Sequence, residues 1–230
     1  MRTFKRLLGA LLVLLSFVSS AAAIPTDFQD WTQVTALIPL EESKKYEFYF
    51  EAQSRVGDDW QRMERLLIRP ALWYNLSKNL SFAVGYAWTP TFIDFQYHHY
   101  YRDENRIWQQ VLYKHDLFGL QWQHRVREEQ RFIEHANGTS NRIRYLLRGS
   151  YGFDDAKSYG LTGYNEIFVT FNTVSGGPQS GFDRDRIFFG PYIVSGKGRY
   201  EFGYVGEYAK RFGNGERYIN AMLVSANYAF

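Results

Sequence analysis

Apolar and polar side chains alternate with a period of two along most of this chain, and that period places successive side chains on opposite faces of an extended strand. Tyr46, Phe48, Phe50 and Ala52 share one face, while Glu47, Glu51, Gln53 and Arg55 share the other. Leu66, Ile68, Leu72, Tyr74 and Leu76 oppose Arg65, Arg69 and Asn75. In the next segment Leu80, Phe82, Val84, Tyr86 and Trp88 oppose only Ser81, Ala83, Gly85, Ala87 and Thr89, which leaves space or admits long side chains from elsewhere. Strands that are apolar on one face and charged on the other suit a cylinder with its outside in lipid and its lumen wet. Closing the cylinder leaves no unpaired backbone edge in hydrocarbon. The expected fold is all-β, an antiparallel transmembrane β-barrel of about 10 to 12 strands.

The middle of the chain carries more charge. Leu120, Trp122 and Val126 alternate with Gln121, Gln123, Arg125, Arg127, Glu129 and Arg131, and Ile143, Tyr145, Leu147 and Tyr151 alternate with Arg142, Arg144 and Arg148. Ile187, Phe189 and Ile193 oppose Arg184 and Arg186, and Tyr200, Phe202, Tyr204 and Tyr208 oppose Glu201 and Glu207. Residues 104 to 117 and 159 to 171 are less regular but still read as strands.

Both ends of the chain agree with secretion to a membrane. Arg2, Lys5 and Arg6 precede an apolar run from Leu7 that ends in Ala21, Ala22 and Ala23, the layout of a signal peptide over residues 1–23, leaving 24–230 as one barrel domain. After residue 18 no long apolar run remains, so a helical membrane protein is excluded. At the other end Met222, Val224, Ala226, Tyr228 and Phe230 form one apolar strand face with an aromatic as the last residue. This terminal signature, with Phe230, Tyr228 and Val224 at its centre, resembles that of bacterial outer-membrane barrels, and implies recognition by the barrel assembly machinery.

Connections sort into two alternating sets. Those around Glu41–Lys44, Ser77–Asn79, Phe118–Gly119, Asp154–Ser158 and Ser195–Gly198 are short, while those around Gly57–Gln61, Phe92–Asp103, Glu134–Gly138, Asn172–Gly181 and Gly213–Gly215 include the longest. Short periplasmic turns and longer external loops are the barrel habit. Counting Asp30–Leu37 gives about 11 strand-like segments, an odd number. Either that segment is a partial or lumen strand, or a further short strand exists, or the barrel closes in parallel.

Of the 27 Lys and Arg residues the leader holds three and none of the 24 Asp and Glu, so the remainder is formally neutral. That balance gives no case for nucleic acid. There is no cysteine for a lipid anchor or a disulfide.

Asp27–Thr32 (DFQDWT), Asp103–Gln110 (DENRIWQQ), Arg127–Phe132 (REEQRF) and Gly181–Gly190 (GFDRDRIFFG) resemble the domain-of-unknown-function family numbered 2490. The resemblance implies an outer-membrane barrel and supplies no activity or active-site residues.

The chemical feature that stands out is the inward arginine set, Arg55, Arg65, Arg69, Arg106, Arg125, Arg127, Arg131, Arg142, Arg144, Arg148, Arg184, Arg186 and Arg211. Fewer inward carboxylates face it: Glu47, Glu51, Glu129, Glu166, Glu201 and Glu207. A surplus of permanently charged guanidinium favours small anions; alternatively, Arg and Glu from neighbouring strands pair and plug a narrow lumen. Trp73, Tyr74, Tyr86, Trp88, Trp122, Tyr204 and Tyr228 are expected in the aromatic girdles at the membrane surfaces. His98 and His99, even with Asp94 or His135, are too few to define a metal site, and His124 lies on the lipid-facing parity with no Ser-centred motif beside it. No catalytic residue, metal or cofactor is therefore expected. The leading expectation is a non-enzymatic outer-membrane barrel in contact with lipid and lipopolysaccharide; a lipid-modifying enzyme, or a structural or receptor barrel acting through its external loops, is the alternative.

Overall fold

The computed structural model describes residues 26–57, 60–95, 98–211 and 215–230, with backbone alone at 93–95, 98–100 and 211. The leader expected over 1–23 lies outside these residues. The described chain forms strands β1 (Thr26–Pro39), β2 (Tyr46–Gly57), β3 (Arg62–Asn75), β4 (Leu80–Trp88), β5 (Thr91–Phe95), β6 (His98–Arg102), β7 (Glu104–Leu117), β8 (Leu120–Ile133), β9 (Thr139–Gly152), β10 (Tyr159–Thr170), β11 (Gly181–Ser195), β12 (Gly198–Arg211) and β13 (Gly215–Ala229).

All but β5 and β6 make up a closed barrel of 11 strands. Neighbours around the wall run antiparallel except at the seam, where β1 pairs with β13 in parallel from Thr26 opposite Tyr218 to Leu37 opposite Ala229. Parity explains the exception: an odd number of strands running alternately up and down brings the first and last together in the same direction. The segment expected over Asp30–Leu37 is thus a full wall strand rather than a partial one. Of the three options left open by the strand count, parallel closure is the one realised.

Parallel ladders are slightly weaker per residue than antiparallel ones, and side chains reinforce this seam. The Thr35 hydroxyl donates to Asn227 Oδ1 at 2.7 Å, and Arg217 pairs with Asp27 across it. At the lower end the Phe230 amide donates to the Leu37 carbonyl at 3.0 Å, Lys44 Nζ donates to the Phe230 carbonyl at 2.8 Å, and Lys197 Nζ sits 5.3 Å from the Phe230 ring centroid.

The short connections all lie at one end of the barrel, as expected. At Phe118–Gly119 both residues have positive φ, 55° and 77°, the backbone of a two-residue hairpin turn whose twist matches its strands. At the opposite end the expected loop Phe92–Asp103 contains the β5–β6 hairpin instead, tied to the wall by the pairing of Thr91 with Arg65.

Outside, the wall is apolar with aromatic rings near both rims. Tyr46 packs on Tyr74 and Tyr200 on Tyr228 near the short turns, with ring centroids 5.2 and 5.9 Å apart. Near the other rim Phe28 meets Trp60, and Tyr208 meets both Phe182 and Tyr218. From Tyr200 to Tyr208 the wall rises roughly 20 Å, taking about 3.3 Å per residue and a tilt near 40°. Polar groups on this surface pair with one another: Asn165 donates to Asp185 at 2.6 Å, and the Gln109 and Gln130 amides exchange contacts at 3.3 Å.

Side chains occupy much of the interior. The small inward residues of β4 are backed by Trp73 and Trp108, which cluster with Ala71, Ala83, Ala87 and Leu112. Trp73 is therefore a lumen residue, 7% exposed, and not part of the girdle expected for it. Its neighbours Arg69 and Asn75 share its parity, and parity rather than residue type decides the face. A second cluster, Trp31, Phe188, Val205, Ile219, Ala221 and Leu223, lines the seam side.

Candidate functional site

Between these two apolar clusters lies a lattice of inward guanidinium and carboxylate groups, supplied mainly by β2, β3 and β7–β12. Each strand contributes every second residue, so Arg125, Arg127, Glu129 and Arg131 of β8 face Arg142, Arg144 and Arg148 of β9 along the same inner surface. All ten arginines singled out as the lumen set, Arg65, Arg69, Arg125, Arg127, Arg131, Arg142, Arg144, Arg148, Arg184 and Arg186, point into this interior and are buried or half-buried. Arg55 and Arg106 join them, whereas the Arg211 side chain lies outside the described residues.

Most of these guanidiniums converge on a few buried carboxylates. Glu129, 0% exposed, accepts from Arg142 Nη2 at 2.5 Å and Arg144 Nη1 at 2.7 Å, with Arg106 at 3.8 Å. Glu166 takes Arg125 at 2.6 Å, Arg144 at 2.7 Å and Arg186 at 3.3 Å. Glu207 takes Arg186 at 2.5 Å and Arg184 at 3.0 Å, and Glu201 takes Arg148 at 2.6 Å and Arg199 at 2.8 Å. Arg69 pairs with Glu51 at 2.7 Å. Such pairs gain little net stability over an apolar filling, because each charge must first leave water. Their effect is to fix side chains across the lumen in one arrangement.

Two of the carboxylates were not visible in the alternation. Glu104, at the first position of β7, bridges Arg106 at 2.7 Å and Arg131 at 2.6 Å through the same oxygen; its parity with Arg106 was the available signal. Asp183 accepts from Arg142 at 2.6 Å. A register shift between β10 and β11 at Phe168 and Val169 lets Asp183 and Arg184, although consecutive, both pair within the lattice, which no period-two reading foresees. At the long-loop end Arg217 ties Asp27 and Glu64 together across the mouth.

Aromatic faces carry part of the remaining charge. Phe168, 2% exposed, lies beneath Arg144 at 4.5 Å, Arg186 at 5.1 Å, Arg142 at 5.2 Å and Arg184 at 5.5 Å. Arg55 stacks 3.7 Å over Trp31, and Arg127 stacks 4.3 Å over Trp108. A planar, weakly hydrated guanidinium is favourable over a ring quadrupole, which is why an arginine-rich lumen also holds inward Trp and Phe.

Among the described arginines that face the lumen, Arg55, Arg65 and Arg127 have no carboxylate at ion-pair distance. Arg55 donates to Gln53 at 3.0 and 3.1 Å, Arg65 to the Thr91 hydroxyl at 3.3 Å, and Arg127 to Gln110 at 2.6 and 2.9 Å. Arg55 and Arg65, with eight other arginines and with Glu51 and Glu166, line a cavity of about 100 Å³ within the lumen. The interior is thus largely ion-paired, with a cationic corner on β2 and β3 that no carboxylate reaches at ion-pair distance among the described residues.

His124 occupies the outward parity of the wall. Its ring stacks on His115 with centroids 5.2 Å apart, and its Nδ1 lies 2.8 Å from the Tyr145 hydroxyl. The backbone of His98 and His99 falls in β6, and their side chains, with that of Asp94, lie outside the described residues.

A chain with this sequence has recognisable kin. It is 29% identical over 216 residues to an uncharacterized protein of Methylorubrum extorquens, covering 91% of each chain. No solved structure matches it. The profile described as "Protein of unknown function (DUF2490)" matches residues 28–218, nearly the entire barrel from β1 into β13, and the chain belongs to that family.

Proposed function

We propose that this protein is a non-enzymatic barrel of the bacterial outer membrane, inserted through its aromatic C-terminal strand by the barrel assembly machinery and surrounded by lipid and lipopolysaccharide. Its lumen favours small anions and is held narrow by its own ion pairs. An apolar outer wall with an aromatic ring at each rim suits lipid. The signal-like leader and terminal Phe230 suit export to that membrane. The observation that carries the anion preference is the trio Arg55, Arg65 and Arg127, buried or half-buried guanidiniums with no carboxylate at ion-pair distance among the described residues.

Conductance in a planar bilayer tests this reading. Small discrete channels with anion over cation preference are expected, and Arg55→Glu combined with Arg65→Glu should reverse the preference. Arg144 and Arg148 are poorer targets, because each already holds a carboxylate of the lattice and reversing them would break the plug itself. Silence at all voltages, or a preference unmoved by the double reversal, would remove the anion path.

The receptor alternative has one observation in its favour: the β5–β6 hairpin extends the sheet beyond the barrel wall at the long-loop end.

A further inference from the structure

Arg55 and Arg65 stand directly opposite each other across β2 and β3. Like charges in register on neighbouring strands repel, and the lattice shows how the fold relieves such a pair elsewhere. Arg106 and Arg131 are likewise register partners across β7 and β8, and one oxygen of Glu104 sits between them, 2.7 Å from the first and 2.6 Å from the second. The Arg55–Arg65 pair has no such wedge among the described residues. The acids that act on it, Glu207 on Arg55 and Glu64, Glu104 and Glu207 on Arg65, do so from beyond ion-pair distance, while Arg184 presses on both arginines.

Both residues line the lumen cavity, and so do Arg69, Arg125, Arg148 and Arg184, each of which has a buried Nε–H with no acceptor. Arg69 is itself only 4% exposed. By the measure that about 10–15 Å³ of such space holds one water, a cavity of about 100 Å³ holds several waters, or one tetrahedral oxyanion. Guanidinium groups arriving from several sides present forked donors, which match an ion with several oxygens better than a spherical halide.

We propose that this cavity is a binding site for a compact, doubly charged oxyanion of the phosphate or sulfate class, held between Arg55 and Arg65 in the role that Glu104 plays for Arg106 and Arg131. The proposal rests on the anion-favouring reading of the lumen, and goes further in assigning a saturable site and a ligand class.

The test is unfolding of the full-length barrel in detergent micelles, titrated with inorganic phosphate and with sulfate, against chloride at equal ionic strength so that screening is matched. Phosphate and sulfate should raise the unfolding midpoint saturably and chloride should not. Arg65→Gln should weaken phosphate binding by about tenfold or more, the loss of one charge-assisted contact. In chloride that variant should be at least as stable as the parent, since it removes a repelled charge. Arg55→Gln provides the second variant and should weaken phosphate binding alike. Stabilisation that does not saturate, or that persists undiminished in both variants, is the general salting effect of these anions and would overturn the site, as would no stabilisation at all. The two readings fail separately: anion-selective channels without saturable phosphate binding sink the site alone, and saturable binding by a silent barrel sinks the conducting path alone.

Discussion

Glu129→Gln should destabilise the barrel by about 3–5 kcal/mol, the cost of taking from several buried guanidiniums a carboxylate that they share. Glu129 is fully buried and anchors Arg142 through two contacts, at 2.5 and 3.0 Å, and Arg144 through one at 2.7 Å. The glutamine keeps the shape and one acceptor oxygen but removes the charge, so the guanidiniums face one another across a space with little water. Urea unfolding in detergent micelles, followed by circular dichroism, measures the loss. A double-mutant cycle separates the pair from general damage: Arg142→Gln added to Glu129→Gln should cost less than the sum of the single changes, because the second change relieves the excess of positive charge that the first created. A loss below about 1 kcal/mol would mean that water reaches and solvates this part of the lumen, as it does for exposed pairs.

Trp108→Ala should cost a similar amount, about 3–5 kcal/mol, the range for truncating a large buried aromatic. Trp108 is fully buried and its Nε1 donates to the Tyr86 carbonyl at 3.2 Å. A Cβ built on Gly85 would stand 2.7 Å from its ring, so the indole lies hard against bare strand backbone. The surrounding wall positions, Ala83 and Ala87, are too small to refill the space, and hydrogen bonding to the neighbouring strands keeps the wall from collapsing inward. Arg127 would lose the ring it covers at 4.3 Å. Trp88→Ala, made on the outer wall at a residue 36% exposed, should cost clearly less in the same urea titration. Equal costs would mean that the indole in the lumen does not hold the interior together.

These two residues also show what could be read in the sequence and what could not. The alternation with Leu120, Trp122 and Val126 places Glu129 in the lumen, and the same period locates the ten lumen arginines. That worked because in these strands nearly all the charged side chains fall on one parity and the large apolar ones on the other. Trp108 lies in a segment that the alternation reads only loosely, and an aromatic fits a girdle, an outer wall or an arginine platform equally well, so residue type alone assigns it no face. For Trp73, residue type points to the girdle against the parity that it shares with Arg69 and Asn75. Asp183 escaped because a bulge breaks the period, and Glu104 because it begins an irregular segment. The β5–β6 hairpin lay inside what read as a long loop. Closure was the least legible feature of all, because the alternation along β1 says which face is buried and nothing about which strand lies beside it.

The seam between β1 and β13 is therefore the most direct test of the fold, and the chain's lack of cysteine leaves a clean background. Gln33 stands opposite Ser225 on one side and opposite Gln53 on the other, so β1 separates Gln53 from Ser225. Two strand spacings of about 4.8 Å exceed the roughly 7 Å that a disulfide tolerates between Cα atoms. In cells or micelles under mild oxidant, Gln33→Cys with Ser225→Cys should cross-link within one chain, and Gln53→Cys with Ser225→Cys should not. Efficient linkage of the second pair with none of the first would place β1 outside the wall and contradict the parallel-closed barrel of 11 strands.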